Sequence, residues 1–292
     1  MTPSWLDPNE YPFDSQYLSL DGVRLHYIDE GRGDVVLFVH GTPSWSFDFR
    51  HIIKSLSKFY RCIAIDHIGF GLSDKPANYD YATPKHSENL RQLIDKLELN
   101  DITLVVHDFG GPIGLNYAIH HPERIKQHII FNTWLWSSEK EEEYIRFQKI
   151  LKNPLLPFLY KYLNFSAGFI LPQSFADKAI LTNKLRKHYI KPFRNPSERL
   201  GTIGFAKSLL NDQGWFEELW SKRASISDKR TLFIWGMADK FILPKYLEKF
   251  EREFTDRISV KFQDCGHYPQ EEKKELVVSE IQSWLQGLGC VN

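Results

Sequence analysis

Short runs of apolar and β-branched residues alternate with longer amphipathic stretches up to residue 135. The runs VVLFV (35–39) and TLVV (103–106) are apolar on both faces, which is typical of strands in a sheet that helices cover on both sides. Alternation of strands and helices in this order predicts a mostly parallel α/β sheet. Strands are predicted at 24–29, 35–39, 62–66, 102–106 and 125–131, and helices at 47–56, 84–97 and 112–121.

The alternating pattern stops after residue 136 and returns at residue 230. Strands are predicted again at 231–235 and 258–262, and helices at 244–254 and 271–285. Between these two parts the sequence is helical, rich in aromatic residues and interrupted by prolines. We therefore predict an α/β core formed by residues 1–136 and 230–292, with a helical cap inserted at 137–229.

Composition and charge exclude several classes of protein. Lys+Arg and Asp+Glu both number 37, so the formal net charge is zero, whereas nucleic-acid-binding proteins usually carry a basic excess. No stretch reaches the roughly 18 apolar residues of a membrane span, and residues 1–13 lack the pattern of a signal peptide. Cys62, Cys265 and Cys290 form no CxxC pair and indicate neither a disulfide framework nor a zinc site. We expect a cytoplasmic protein with no membrane span, nucleic-acid partner, metal or cofactor.

A candidate nucleophile follows the predicted strand 102–106. The sequence HDFGG (107–111) joins this strand to a helix, and a sharp turn of this kind exposes its central residue at the carboxyl edge of the sheet, where ligands bind in α/β folds. Asp108 stands where the G-x-S-x-G elbow has its serine. The plainer alternative is that Asp108 only caps the N-terminus of the helix that follows.

Two more polar residues follow predicted strands. Asp239 lies in the loop after 231–235, and His267 lies in the loop after 258–262. Loops that follow parallel strands gather at one edge of the sheet, so these side chains are expected to meet Asp108 there. The order nucleophile, acid, base along the chain is that of α/β-hydrolase triads.

These segments resemble haloalkane dehalogenases of the α/β-hydrolase superfamily. The resemblance covers the core, about two-thirds of the chain, and its most specific stretches are HGTPSWSFDFR (40–50), DHIGFGLSDKP (66–76), LVVHDFGGPIGL (104–115), WGMADK (235–240) and CGHYPQE (265–271). It implies Asp108 as nucleophile, His267 as base and Asp239 as the acid that orients the base. Some dehalogenases place the acid after the sixth strand instead, but Asn132 stands there and cannot fill that role.

The resemblance also implies that the backbone N–H groups of Thr42 and Phe109 stabilise charge that develops in the reaction. Dehalogenases usually place Trp directly after the nucleophile, where its indole N–H donates to the halide, and often Asn or Glu after HG. Phe109 and Thr42 occupy these two places, which weakens the halide site. Four of the eight tryptophans would either replace the missing donor or belong to the pocket wall and core: Trp134, Trp136, Trp215 and Trp220.

Three functions remain open at this stage. In the first, a haloalkane and water give an alcohol and a halide through an ester on Asp108. In the second, the same carboxylate attacks an epoxide, an ester or a strained β-lactone, the last leading to hydrolysis or decarboxylation. In the third, the protein binds a ligand without catalysis. A small apolar organic substrate is expected, and monomer and homodimer both remain open.

Overall fold

The computed structural model describes residues 3–288, which form an eight-stranded sheet in the order β1-β2-β4-β3-β5-β6-β7-β8. The pairs β1–β2 and β2–β4 are antiparallel, and all the other pairs are parallel. The predicted mostly parallel sheet is therefore confirmed. The strands are β1 (Gln16–Leu20), β2 (Val23–Glu30), β3 (Val35–Val39), β4 (Arg61–Ile65), β5 (Ile102–Val106), β6 (Ile125–Phe131), β7 (Thr231–Gly236) and β8 (Arg257–Phe262).

Helices cover both faces of the sheet and also form the region between β6 and β7. The α-helices are α1 (Arg50–Leu56), α2 (Thr83–Lys96), α3 (Gly110–His120), α4 (Glu142–Leu151), α5 (Leu156–Leu163), α6 (Leu171–Ser174), α7 (Asn183–Ile190), α8 (Leu200–Asn211), α9 (Gln213–Ser221), α10 (Pro244–Glu253), α11 (Pro269–Glu272) and α12 (Lys274–Leu285). Strand β3 shows how the faces are filled. Its Val36 and Phe38 pack in one buried cluster with α1 and α12, whereas Leu37 and Val39 pack in another with α2, α3 and α10. Both faces of this strand are buried, as its continuous apolar run predicted.

The structure differs from the predicted elements in four places. The helix predicted at 47–56 is a 3-10 turn, Ser46–Phe49, followed by α1 from Arg50. Strand β1 was missed because it lies at the sheet edge with only Leu20 buried, so its apolar pattern is weak. Helix α3 begins at Gly110, two residues before the predicted start. The predicted helix 271–285 is two helices, α11 and α12, because Lys273 between them leaves helical geometry (φ −129°, ψ 35°).

The region inserted between β6 and β7 contains α4 to α9 and lies over the carboxyl edge of the sheet. Its contacts with the core are specific: the Trp45 indole N–H donates to the His188 carbonyl at 3.0 Å, and the Tyr189 hydroxyl donates to Asp48 at 2.7 Å. Helices α4 and α5 contact α8 rather than the sheet. This leaves a space between the inserted helices and the loops that follow β3, β5, β7 and β8.

Three further features concern the membrane span, the disulfides and the metal site that the sequence did not indicate. Within residues 3–288, no helix combines the length and the apolar character that a membrane crossing requires. Cys62 and Cys265 are buried thiols without a disulfide, and Cys290 lies outside the described residues. The same described range contains no group of three or more His, Cys, Asp or Glu side chains placed to hold a metal.

Candidate active site

Asp108 occupies a sharp turn between β5 and α3. Its φ of 52° lies in the left-handed region, which Asp tolerates better than most residues with a side chain. The backbone around it is anchored: Asp108 N–H donates to the Asn132 carbonyl at 2.9 Å, and the Thr133 hydroxyl donates to the Asp108 carbonyl at 2.5 Å. A Cβ at Gly41 would collide with the Asp108 carboxylate, so only glycine lets the loop after β3 approach this closely.

The Asp108 carboxylate faces the loop after β3 rather than the helix behind it. Its Oδ1 accepts the Thr42 N–H at 2.7 Å, and the N-cap position of α3 is occupied by Phe109, which makes no side-chain capping hydrogen bond. The alternative in which Asp108 only caps the helix does not describe this geometry. The Thr42 hydroxyl oxygen is buried beside the carboxylate and has no hydrogen-bond partner within residues 3–288.

The three residues of the predicted triad lie together. His267 Nδ1 donates to Asp239 Oδ2 at 2.7 Å, and His267 Nε2 lies 3.6 Å from Asp108 Oδ2. All three are almost completely buried, and Asp108 is the most exposed of them at 8%. The imidazole is thus held between two carboxylates, with one ring nitrogen directed at each.

Asn132 cannot act as the acid itself, but it contacts Asp239, the residue predicted to be the acid. Its Nδ2 donates to Asp239 Oδ2 at 2.9 Å and to the Gly236 carbonyl at 3.0 Å, while its Oδ1 accepts the Gly236 N–H. Asp239 Oδ1 accepts the backbone N–H groups of Phe241 and Ile242. These donors hold the Asp239 carboxylate in the orientation in which it meets the histidine. The position after β6 was the only sequence signal for Asn132.

A second buried histidine, His107, supports His267 and was not predicted from the sequence. His107 Nε2 donates to the His267 carbonyl at 2.8 Å, since a carbonyl can only accept. On the other side of the ring, Nδ1 lies 3.3 Å from Asp48, which also accepts the Tyr189 hydroxyl from α7. The backbone N–H of His267 donates to the Ser174 carbonyl of α6 at 2.8 Å. The loop carrying His267 is therefore held by both the core and the inserted helices.

A cavity of 420 Å³ lies above these residues, between the core loops and the inserted helices. Asp108 and His267 form part of its floor, and most of the other lining side chains are apolar or aromatic. Phe109, Trp134, Tyr144, Ile150, Tyr160, Ile170 and Ile242 are among them, and the polar side chain of Thr42 lines the cavity as well. A site with this composition suits a small apolar ligand with one reactive group at the carboxylate end.

Of the four tryptophans considered as donors, Trp134 lines the cavity and meets the Phe109 ring edge-on at 4.8 Å. The other three are not among the residues that line it. Trp136 donates its N–H to Glu141 at 3.0 Å, and Trp220 packs edge-on against it at 4.9 Å. Trp215 packs at the margin of the core cluster. These three rings fill apolar space, and none is placed to meet a ligand at Asp108.

The charge of His267 depends on its two carboxylate neighbours. Burial of the imidazole by itself would lower its pKa, but the charges and hydrogen bonds of Asp239 and Asp108 outweigh burial and raise the pKa to about 10. The imidazole is thus protonated at neutral pH as long as Asp108 is an anion. Neutralising Asp108 would remove one of the two causes and lower the pKa of His267 again.

We expect this shift to appear in the pH dependence of folding. The pKa of an unfolded histidine is about 6.5, so the raised folded value stabilises the protein fully below that pH and progressively less as the pH rises toward 10. The contribution falls by at most about 1.4 kcal/mol per pH unit. Urea unfolding of the wild type and a His267→Gln variant measures it: the difference in unfolding free energy should shrink between about pH 7 and about pH 9. A difference that stays constant over this window would contradict the assignment.

Comparisons with known proteins identify the family and the fold of the chain. A family model described as alpha/beta hydrolase fold matches residues 34–274. The chain is 35% identical over 284 residues to a cis-3-alkyl-4-alkyloxetan-2-one decarboxylase from Shewanella oneidensis, covering 94% of this chain and 89% of that protein. It is 29% identical over 277 residues to haloalkane dehalogenase 2 from Mycobacterium tuberculosis, covering 94% of this chain and 96% of that protein.

A solved structure shows the same architecture. The crystal structure of haloalkane dehalogenase DbeA from Bradyrhizobium elkani matches with a TM-score of 0.85 at 22% identity, covering 94% of this chain and 98% of that chain. At this identity the likeness concerns the fold alone. The predicted fold class, a mostly parallel sheet flanked by helices with an inserted helical region, is confirmed.

Proposed function

The chain belongs to the α/β-hydrolase fold family, and we propose that it hydrolyses small apolar haloalkanes through an ester formed on Asp108. The observation that carries this proposal is the placement of a carboxylate, 3.6 Å from His267 Nε2, at the floor of a largely apolar cavity. A carboxylate needs no deprotonation before it attacks. It therefore suits saturated carbon with a good leaving group, where a serine would suit acyl carbon.

In the first step, Asp108 Oδ2 attacks the carbon in line with the departing halogen. The carbon–oxygen bond forms as the carbon–halogen bond breaks, and the electron pair of that bond leaves with the halide. Thr42 N–H holds Oδ1 at 2.7 Å, which leaves the second oxygen free to react. The N–H of Trp134 and the hydroxyl of Thr42 are the side-chain donors we assign to the leaving halide.

In the second step, water cleaves the ester. The neutral ester no longer stabilises a protonated His267, so the pKa of the imidazole falls and Nε2 becomes able to accept a proton from water. The resulting hydroxide attacks the Asp108 carbonyl carbon, and Thr42 N–H stabilises the oxyanion. The bond between the acyl carbon and the alkyl oxygen then breaks, the departing alkoxide takes the proton of the added hydroxyl group and leaves as the alcohol, and Asp108 returns as a carboxylate. His267 keeps the proton it took from water, which replaces the one it released to solvent after the ester formed. Over the cycle, haloalkane and water give alcohol, halide and one proton.

A second candidate is decarboxylation of an oxetan-2-one, and Phe109 favours it. The Phe109 ring stacks on Phe205 at 4.4 Å and has no N–H to offer a halide. Attack of Asp108 on the saturated ring carbon bonded to the ring oxygen would break that carbon–oxygen bond and open the lactone. The ring oxygen then belongs to a carboxylate on the same molecule. Cleavage of the bond to that carboxylate then releases carbon dioxide, its electron pair forms the alkene, and Asp108 departs as an anion. This cycle consumes no water.

The two candidates are separated by their products. Purified protein is incubated with brominated and iodinated alkanes, and separately with a 3,4-dialkyl-oxetan-2-one, while halide and alkene are measured. Halide release supports the first proposal. Alkene and carbon dioxide without halide release from a broad haloalkane panel would reject dehalogenation in favour of the second candidate.

We expect the substitution Phe109→Trp to increase halide release. An indole at this position would add an N–H donor beside the carboxylate, and one such donor typically changes kcat by about 100-fold to about 1,000-fold. The gain here is expected at the lower end, because the new ring must also fit against Phe205 and Trp134. Halide release by Phe109→Trp, compared with wild type, measures the effect.

The matched control is Phe109→Leu, which changes the ring without adding a donor and should bring no gain. An unchanged rate in Phe109→Trp, with an intact fold by circular dichroism, would contradict the placement of the leaving group beside residue 109.

A further inference from the structure

Helix α5 carries apolar side chains on the side that faces solvent as well as on the side that faces the protein. Leu156 and Tyr160 are buried in a small cluster with residues of α8. A surface helix normally places polar residues opposite such a buried stripe. On α5 and the segments beside it, the outer positions are apolar instead. We call these residues the cap apolar face, and they are 52% to 63% exposed: Leu155, Phe158, Tyr162, Leu163 and Phe169.

More than half of the surface of each of these side chains is exposed, so residues 3–288 do not cover this face. The Phe158 and Tyr162 rings lie 4.9 Å apart, and Phe169 stacks on Phe165 at 4.9 Å. Exposed apolar side chains scattered singly are ordinary, whereas a contiguous group of this size indicates a surface that meets something apolar.

The charge around the cap apolar face indicates what it meets. Residues 144–176 contain four basic residues and no acidic residue. The acidic residues just before them form ion pairs, Glu141 and Glu143 with Lys245 and Glu142 with Arg146. Lys149, Lys152 and Lys161 have no ion-pair partner within residues 3–288, and Arg146 pairs only with exposed Glu142 at 3.5 Å. A symmetric contact with a second copy would bring these cations against themselves. Basic residues interleaved with aromatic and aliphatic ones favour an anionic lipid surface.

The cap apolar face is also continuous with the cavity above Asp108. Ile150 is 53% exposed and lines the cavity, so it belongs to the outer surface and to the cavity mouth. Ile170, which also lines the cavity, is the next residue after Phe169. The cap apolar face and the apolar lining of the cavity therefore adjoin at Ile150 and Ile170, although Glu143, Arg146 and Lys240 also line the cavity.

We propose that this part of the protein docks on an anionic lipid bilayer, with the cap apolar face lying in the interface and the cavity mouth against the lipid. The contact is peripheral: aromatic and leucine side chains enter the headgroup region, and Lys149, Lys152 and Lys161 pair with lipid phosphates. Docking does not depend on the chemistry at Asp108, so it is tested by binding and not by turnover.

The test is co-sedimentation of the full chain with vesicles. Wild-type protein is expected to bind mixed phosphatidylcholine–phosphatidylglycerol vesicles, to bind phosphatidylcholine vesicles weakly, and to lose most of its binding in high salt. The double variant Phe158→Ser, Tyr162→Ser should bind the mixed vesicles about tenfold more weakly, because two partly inserted rings are lost. Lys149→Glu and Lys152→Glu should each weaken binding by about fivefold or more.

Matched controls lie at the amino ends of the strands, on the side of the sheet away from the inserted helices. Phe59 is 67% exposed just before β4, and Lys58 beside it is exposed too. Phe59→Ser and Lys58→Glu make the same chemical changes away from the cap and should bind as the wild type does. Hydrogen exchange of wild-type protein gives a reading that needs no variant, since residues 155–163 should exchange more slowly on mixed vesicles than in solution.

Three results would overturn the proposal. These are the absence of binding to the mixed vesicles, equal loss of binding in the cap and control variants, and a dimer that the Phe158→Ser, Tyr162→Ser variant dissociates in sedimentation velocity. The last would assign the face to a second copy of the chain.

Discussion

Turnover is expected to fall by about 10⁴-fold or more when Asp108 is replaced with Asn, because loss of the nucleophile removes the covalent route altogether. Asn keeps the size of the side chain and, like Asp, tolerates the left-handed backbone at this turn. The Thr42 N–H, which now donates to Asp108 Oδ1, can still donate to an amide oxygen. The measurement is initial rate with whichever substrate class proves active.

Two controls accompany this variant. Its melting temperature should fall only by the share of the His267 stabilisation that the Asp108 charge supplies. Asp108→Ala should be equally inactive but less stable, because Ala is strained at a φ of 52°. Turnover within tenfold of the wild-type rate in Asp108→Asn would remove the covalent mechanism. An inactive wild type that binds ligand with unchanged affinity in the variant would instead support a binding protein without catalysis.

The substitution His267→Gln is expected to trap the ester on Asp108. Attack by the carboxylate does not need the imidazole, but cleavage by water needs a base, so the first step continues while the second slows by about 100-fold to about 10,000-fold. Intact-protein mass spectrometry after incubation with a haloalkane should show a gain equal to the alkyl group, located on the peptide that contains Asp108. Wild-type protein treated in the same way should show no lasting adduct.

The same variant separates the two candidate reactions. Decarboxylation of an oxetan-2-one consumes no water, so His267→Gln should keep alkene formation while it loses hydrolysis. A combined variant, Asp108→Asn with His267→Gln, serves as the control and should acquire no mass with either substrate. An adduct on another residue, or full haloalkane turnover without His267, would contradict the assignment of the base.

Much of the core was predictable because its strands are buried on both faces. Runs such as 35–39 and 102–106 read as strands without any knowledge of their neighbours, and all are strands in the structure. Strand β1 shows the limit of this reading. It pairs with only one neighbour, buries a single residue and therefore has a pattern no different from that of a loop.

The side chains of the candidate site were also predictable as far as chain order and strand ends determine them. Asp108, Asp239 and His267 follow β5, β7 and β8, and parallel strands bring those ends to one edge. The contact of Asn132 with Asp239 and that of His107 with the His267 carbonyl were not predictable, because each depends on a distance between two loops. The tryptophans make the same point, since residue type alone did not distinguish Trp134 in the cavity from Trp136 in the core.

Local sequence alone determined the parallel core, the carboxylate on its strand-to-helix turn and the residue types that follow the strands, because burial and turn chemistry act over a few neighbouring residues. Only the tertiary structure decided which groups face Asp108, how the two carboxylates raise the pKa of His267, and that α5 presents an apolar face to solvent. These depend on packing between segments far apart in the chain, where a shift of one ångström makes or breaks a hydrogen bond.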